Sequence, residues 1–461
     1  MNADVIPSVA RDPGGGAVPN SSDNPALPSR ALANARGDKL LCALITAVAA
    51  IQVFLAIRFY GFLTGDDVEV LLEAFRRAKA WAYQPWDIRN LFVPDILVAP
   101  FVWMGGIRGA AIPFIALTAL TIWLVYWLAF KWSGDERAAI AAALIFALHW
   151  IPLGFGSTVY PRNLAMACVV AAALVVDRWP FAAGALVGLA FADRFSEIVF
   201  LLPILIIGKR RMWIVAGTIA SITVTVGLYD WLTWGSPFSS AIKFAHLTIV
   251  EPDFASRVKY QSPLWYLLNV VRWCSPALLP LLWFARKQAR WSFIVVPLIA
   301  LSVVRHKELR YLQVVIPFLA IVVGIGFAIL YQRSRKWAVS LLVIALLWDL
   351  HGIRYFRRKS MPAVDAARVL ASDPSVHNIA VSQIWAYGGD LYFGKRIAVR
   401  ELGTPPRDLD RLIIGADAVS IYETDLDHPE VIATLRAHGF APWRTFRDGP
   451  ARAVIVFRAR S

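Results

Sequence analysis

Cysteine is scarce, with three in 461 residues. Cys42, Cys168 and Cys274 lie in or beside hydrophobic runs, with neither a paired framework nor metal-ligand spacing, so no disulfide scaffold or structural metal centre is expected from them. Charge is also sparse, at 17% of residues, and what there is leans basic, with a net charge of +15. A nucleic-acid binder would gather that excess into a patch. Here it is split into short clusters between apolar runs, Lys209 to Arg211, Arg286-Lys287, Arg333 to Lys336 and Arg357 to Lys359, which is how cytoplasmic loops are marked, so nucleic acid is set aside. No small-residue cleavage site follows the apolar run from Leu40 to Ile57, which is therefore read as a retained anchor. No phosphate-binding glycine fingerprint occurs. "YGGDLYFG", residues 387 to 394, is too irregular and suits packing or docking better.

What is abundant is apolar sequence: 58% of residues, including 19 Trp and 26 Phe. That is too much for one soluble domain and predicts a polytopic α-helical membrane protein. Residues 1–38, rich in Gly, Pro, Ser and Asn, are expected to form a disordered cytoplasmic tail. Beyond 40–57, apolar spans are expected near 91–107, 109–130, 138–154, 163–177, 181–192, 196–208, 212–230, 264–285, 291–304, 312–331 and 336–350. Several are shorter than the ~20 residues of a straight crossing. If the basic loops are cytoplasmic, residues 58–90, 231–263, 305–311 and everything beyond about 355 share the opposite face. That arrangement requires one span not to cross, and the suspect lies between 91 and 162. From 355 to 461, "HNIAVSQIW", "KRIAVREL", "DAVSIYE" and "ARAVIVFRAR" look like strands and "HPEVIATLRAHGF" like a helix, predicting a small α/β soluble domain with a partly parallel sheet.

Five polar constellations interrupt this pattern. "LTGDDVEVLLEAFRRA", residues 63 to 78, has Val68, Leu71, Leu72, Phe75 and Ala78 at helical spacing and predicts an amphipathic helix along the outer membrane surface. Asp66 and Asp67 at its start are either an acidic first turn, with Thr64 or Asp66 as the cap, or the acid–base centre of an enzyme working at the bilayer. "RHKELR", residues 305 to 310, places Arg305, His306, Lys307, Glu308 and Arg310 at an outer junction, against the usual charge bias. They form a solvated turn or hold an anionic ligand, with a lipid phosphate the natural candidate. The loop 228–268 carries Asp230, Lys243 and His246 among interfacial aromatics. Arg162 heads a hydrophobic helix, and Asp193-Arg194 separates two short spans, either as a structural pair or facing substrate.

Taken in order, "LTGDDVEVLLEAF", "PWDIRNLFVPDIL", "LYDWLTWGSPFSSAIKF" and "HKELRYLQVVIPFLA" resemble the motifs of the GT-C superfamily of integral-membrane glycosyltransferases, and within it the family 22 mannosyltransferases of dolichol-linked oligosaccharide and GPI-anchor assembly. The resemblance covers roughly residues 40 to 330. It departs at Thr64-Gly65-Asp66-Asp67, where that family usually has H-P-D-E, and near Phe244, where its asparagine is not evident. The lack of a cleavable signal or retention motif and the short loops fit a bacterial inner membrane with the active face periplasmic, and the apolar spans predict about 11 to 13 transmembrane helices; the resemblance implies a GT-C membrane domain over 39–354. It also implies inverting transfer of a sugar, mannose first, from a polyprenyl-phosphate donor to a lipid-linked or glycan acceptor. Asp66 would be the general base, with Asp67 orienting the acceptor or exchanging roles with it. His306, Lys307 and Arg310 would bind the donor phosphate, supported by Glu73, Arg89, Arg162, Arg194, Asp230 and Glu308. No cofactor or metal is expected. The alternatives are another lipid-linked sugar (glucose, arabinose, an aminosugar) or a non-enzymatic lipid-linked-sugar transporter, which would more often show internal repeats that this chain lacks.

Overall fold

The computed structural model describes residues 35–80, 92–160, 162–246, 261–304, 306–352, 356, 360–394, 396–402, 406, 408–448 and 453–459. Arg89 and Arg305, and the "PWDIRN" part of the tryptophan motif, lie outside them.

Helices, most of them apolar, dominate up to residue 349. They are α1 (Ala35–Arg58), α2 (Gly65–Ala80), α3 (Ala99–Gly109), α4 (Ile112–Ser133), α5 (Glu136–Leu148), α6 (Trp150–Phe155), α7 (Arg162–Val175), α8 (Pro180–Asp193), α9 (Leu201–Ile207), α10 (Arg211–Ile222), α11 (Leu278–Ala285), α12 (Ser292–Val303), α13 (Ile316–Arg333) and α14 (Arg335–Asp349). Among the described residues four stretches are long and apolar enough to cross a membrane, Gly37–Arg58, Ile112–Ser133, Arg211–Trp234 and Ile316–Arg333. The innermost is α13, whose small residues let neighbours approach closely. A Cβ at Gly326 would fall 1.8 Å from the carbonyl oxygen of Leu281, and one at Gly324 would fall 2.4 Å from that of Ala138. Lipid tails give helices no hydrophobic reason to associate, so close backbone packing of this kind supplies the contact. Phe293 and Phe200 stack on Phe318 of α13 to close the core.

The helices break where polar residues enter. Arg194 is extended (φ −149°, ψ 118°) between α8 and a 3₁₀ turn, Phe195–Phe200. Glu308 is likewise extended (φ −138°, ψ 149°) before the 3₁₀ turn Leu309–Val314 that leads into α13. Irregular backbone of this kind is tolerated at membrane depth only where it is covered by protein or lines a cavity. Here the two breaks meet each other and the start of α2.

The helix α2 differs from expectation. Val68, Leu71 and Ala74 do face one way, but they are buried with Phe62, Val98, Val102 and Val364 in a protein core of their own, not laid into lipid. Glu73, expected on the polar face, is only 1% exposed. The cover comes from the turn Val93–Val98 and α3, together with the C-terminal part of the chain, which adds Val364, Trp385 and Leu391 over α2.

That part begins with α15 (Met361–Ser372) and contains α16 (Pro429–Ala437) and five strands, β1 (Asn378–Val381), β2 (Ala398–Glu401), β3 (Ala418–Tyr422), β4 (Phe440–Phe446) and β5 (Val454–Ala459). They form one mixed sheet in the order β2-β1-β3-β5-β4, with β1 parallel to β2 and β3, and β5 antiparallel to β3 and β4. The strand β4 has no counterpart among the expected segments. Its central residues are exposed and it contains Pro442, the composition of an edge strand. The two parts are tied at Gly61 and Phe62: Ser360 donates its N–H to the Phe62 carbonyl (3.0 Å) and its Oγ accepts from the Phe62 N–H (3.0 Å). The approach is so close that a Cβ on Gly61 would sit 2.5 Å from the Met361 nitrogen.

Candidate functional site

The loop that Ser360 pins runs directly into the first turn of α2, so the placement of Asp66 and Asp67 follows from it. The two carboxylates point to different partners. Asp67, at the third position of the helix, reaches back to accept from the Leu63 N–H (3.1 Å) and the Thr64 hydroxyl (3.1 Å). This is a variant of the capping box, in which a third-position acid closes the turn before the helix. Asp67 therefore closes the turn in front of α2 through Leu63 and Thr64, the residue that directly precedes the helix.

Asp66 turns inward and is 9% exposed. Its Oδ2 accepts from Arg194 (2.8 Å) and lies 3.3 Å from Nη1 of Arg310. Residues 66, 194 and 310, far apart in sequence, thus share one oxygen atom. Arg310 also bonds Glu308 through its Nε, and the other Glu308 oxygen faces Nε2 of His306 at 3.0 Å. Burial raises the Glu308 carboxyl, but its bonds to His306 and Arg310 outweigh that and hold it below the ordinary carboxylate range.

A second tier orients these cations. Tyr160, fully buried, presents its ring to the guanidiniums of Arg310 (5.2 Å) and Arg194 (6.0 Å), while its hydroxyl accepts from Arg162 (3.1 Å). Tyr311 lies under Arg162 (4.7 Å) and Arg310 (5.7 Å) and meets the His306 ring edge-on. Arg162 is ion-paired with buried Glu197. Cation–π contacts of desolvated arginines are worth up to about 2 kcal/mol each, so the tyrosines fix cations that would otherwise be expensive to bury. The cluster's charges balance, with Arg162, Arg194 and Arg310 against Asp66, Glu197 and Glu308.

Four of the expected residues are turned elsewhere. The Lys307 ammonium donates to the carbonyls of Val304 (2.5 Å) and Gln261 (3.3 Å). Asp230 accepts from the Ser240 N–H (2.9 Å) and hydroxyl (2.5 Å), closing a turn. Glu73 faces Arg76 at 3.5 Å, with burial pushing its carboxyl upward. Asp193 parts from Arg194 and accepts from the Ala165 N–H (2.7 Å) in the first turn of α7. The residues the sequence did not single out are Tyr160, Tyr311 and Glu197. Tyr311 lies inside the HKELRY motif, which could have marked it, whereas Tyr160 and Glu197 depend on arginines brought in from other segments. Among the described residues no three His, Cys, Asp or Glu gather as a metal-binding group.

This mostly helical body, with a small mixed sheet in its C-terminal part, has GT-C fold neighbours. The chain superposes on the crystal structure of ArnT from Cupriavidus metallidurans bound to undecaprenyl phosphate with a TM-score of 0.62, 14% identity, 90% of this chain and 97% of that one covered. The apo state of the same protein gives the same values. Residues 111–361 match the Alg9-like mannosyltransferase family, and the chain belongs to that family. The matched stretch carries Arg162, Arg194 and His306 to Arg310, while Asp66 lies before it and is joined to it through space. A curated relative is GPI mannosyltransferase 3 of Yarrowia lipolytica, 23% identical over 175 residues, or 37% of this chain and 34% of that protein. The chain thus matches about a third of that relative's length.

Proposed function

We propose that this protein is a glycosyltransferase that moves a sugar, mannose by family, from a polyprenyl-phosphate donor to a hydroxyl on a lipid-linked or glycan acceptor, with inversion and with Asp66 as the base. The observation that carries this is the convergence of Asp66 with Arg194 and Arg310 beside His306, a proton acceptor within ion-pair reach of donors suited to a phosphate.

In this scheme the acceptor oxygen attacks the anomeric carbon in line, its proton passes to Asp66, and the bond from that carbon to the phosphate oxygen breaks with its electron pair leaving on the polyprenyl phosphate. The phosphate changes from a diester with one negative charge to a monoester with two, while Asp66 becomes neutral. The site's total charge is unchanged. Arg194, Arg310 and His306 face the oxygen on which charge grows, where fixed donors favour the transition state over the ground state. Lys307 would need to leave its carbonyl partners to join them.

The topology that goes with this reading has about eleven crossings, with one stretch between residues 91 and 162 not crossing. It puts the site on the non-cytoplasmic side, the periplasmic side in a bacterial inner membrane. The experiment is transfer by purified protein given radiolabelled polyprenyl-phosphate mannose and a membrane lipid extract. Asp66→Asn is expected to lower the rate by about 10²-fold to 10⁴-fold, and His306→Ala to lower it as well. Unchanged transfer in both variants would remove the assigned site.

A further inference from the structure

In the ligand-free protein the base is not free to act. Oδ2 of Asp66 already holds Arg194 and Arg310, two cations that favour the ionised carboxylate and so oppose its taking a proton from a hydroxyl. Those two guanidiniums are also the best-placed phosphate donors in the cluster. Each retains a buried nitrogen with no hydrogen-bond partner among the described residues, Nε of Arg194 and Nη1 of Arg310, the latter facing Asp66 only as an ion pair. An incoming anion therefore has somewhere to take hold first. A phosphate then outcompetes the carboxylate on geometry: it offers separate oxygens to two guanidiniums that here crowd onto one. Tyr160 touches both arginines and keeps them in place while the partner changes.

We infer that Asp66 is a stand-in for the donor phosphate: it fills the anion site of Arg194 and Arg310 when the site is empty and is released as a competent base only when a polyprenyl phosphate takes its place. Donor binding and base activation are then one event. An acceptor hydroxyl arriving at a donor-free site meets a carboxylate that is already engaged, which makes the order of binding donor first. The inference rests on the glycosyltransferase reading of the site for its phosphate ligand.

The test is binding of farnesyl monophosphate, a short mimic of the departing lipid phosphate, to the full-length protein in detergent, measured by titration calorimetry. Removing the competing carboxylate in Asp66→Asn is expected to tighten binding about tenfold, equivalent to about 1.4 kcal/mol. Asp66→Glu, which keeps the charge, should not tighten it, and farnesol should bind wild type and Asp66→Asn alike. Equal or weaker farnesyl phosphate binding by Asp66→Asn, or an equal gain for farnesol, would overturn the exchange. A structure of the wild type with farnesyl phosphate tests the same exchange without relying on a variant's folding. Arg194 and Arg310 should lie on phosphate oxygens with Asp66 out of ion-pair range, and an intact Asp66–Arg194 bond beside the bound phosphate would contradict it. The two proposals fail separately. Lost transfer without tighter binding in Asp66→Asn removes the exchange and keeps the base, whereas tighter binding with full transfer removes the base and keeps the exchange.

Discussion

Asp66 and Asp67 are adjacent and chemically identical, yet the structure gives them roles that one pair of substitutions separates. Asp67 accepts hydrogen bonds from the Leu63 N–H and the Thr64 hydroxyl, both at 3.1 Å. Replacing an N-terminal capping residue by alanine costs about 1 kcal/mol, and a bond to an ionised acceptor somewhat more than a neutral one, so Asp67→Ala should lose about 2 kcal/mol. Asp67→Asn keeps one oxygen acceptor and should lose about half of that. Because α2 carries Asp66, a frayed first turn also lets the proposed base wander, but a displaced base is still a base. Asp67→Asn is therefore expected to lower the apparent unfolding temperature and to slow transfer by less than about tenfold, against the roughly 10²-fold or greater loss for Asp66→Asn. The assay is thermal unfolding by intrinsic fluorescence beside turnover on the same preparations. An Asp67→Asn protein with unchanged unfolding and turnover as low as Asp66→Asn would refute the division of labour.

Three further outcomes follow from other contacts. Gly61→Ala places a Cβ 2.5 Å from the Met361 nitrogen and should cost about 1 to 3 kcal/mol as an overpacked junction, read as faster proteolytic release of the C-terminal part. Tyr160→Phe removes only the bond to Arg162, while Tyr160→Leu also removes the ring beside Arg194 and Arg310. The leucine variant should raise the KM for lipid donor well beyond the phenylalanine one, and equal effects would mean the ring contributes nothing. Burial raises the Glu73 carboxyl above its unfolded value, so the folded state holds that proton more tightly and the penalty for ionising it appears as pH rises past the unfolded value near about 4.3. Glu73→Gln should accordingly be more heat-stable than wild type at pH 7, with the gain shrinking as pH is lowered towards about 4.

The parts of this architecture legible in the sequence are those written in local pattern. Asp66 stands out because acids beside a hydrophobic span are rare, and His306 to Arg310 because cations run against the charge bias of their loop. What local pattern does not carry is which groups meet. Asp193 and Arg194 are neighbours in sequence, but an extended Arg194 sends the two side chains to α7 and to Asp66 respectively. The spacing of α2 identifies its apolar face but not what covers it, because part of the cover, Val364, Trp385 and Leu391, comes from some three hundred residues later. Tyr160 looks like an ordinary interfacial aromatic until three arginines from separate breaks close around it.

Recognition of a lipid-linked sugar phosphate by Arg194 and Arg310 is the central claim. The direct measurement offers the purified protein equal amounts of labelled polyprenyl-phosphate mannose and labelled GDP-mannose, with a membrane lipid extract as acceptor. Label is expected to move from the lipid donor only, and Arg310→Gln should abolish it. Transfer from the nucleotide sugar, or transfer from the lipid donor that survives Arg310→Gln, would contradict the account.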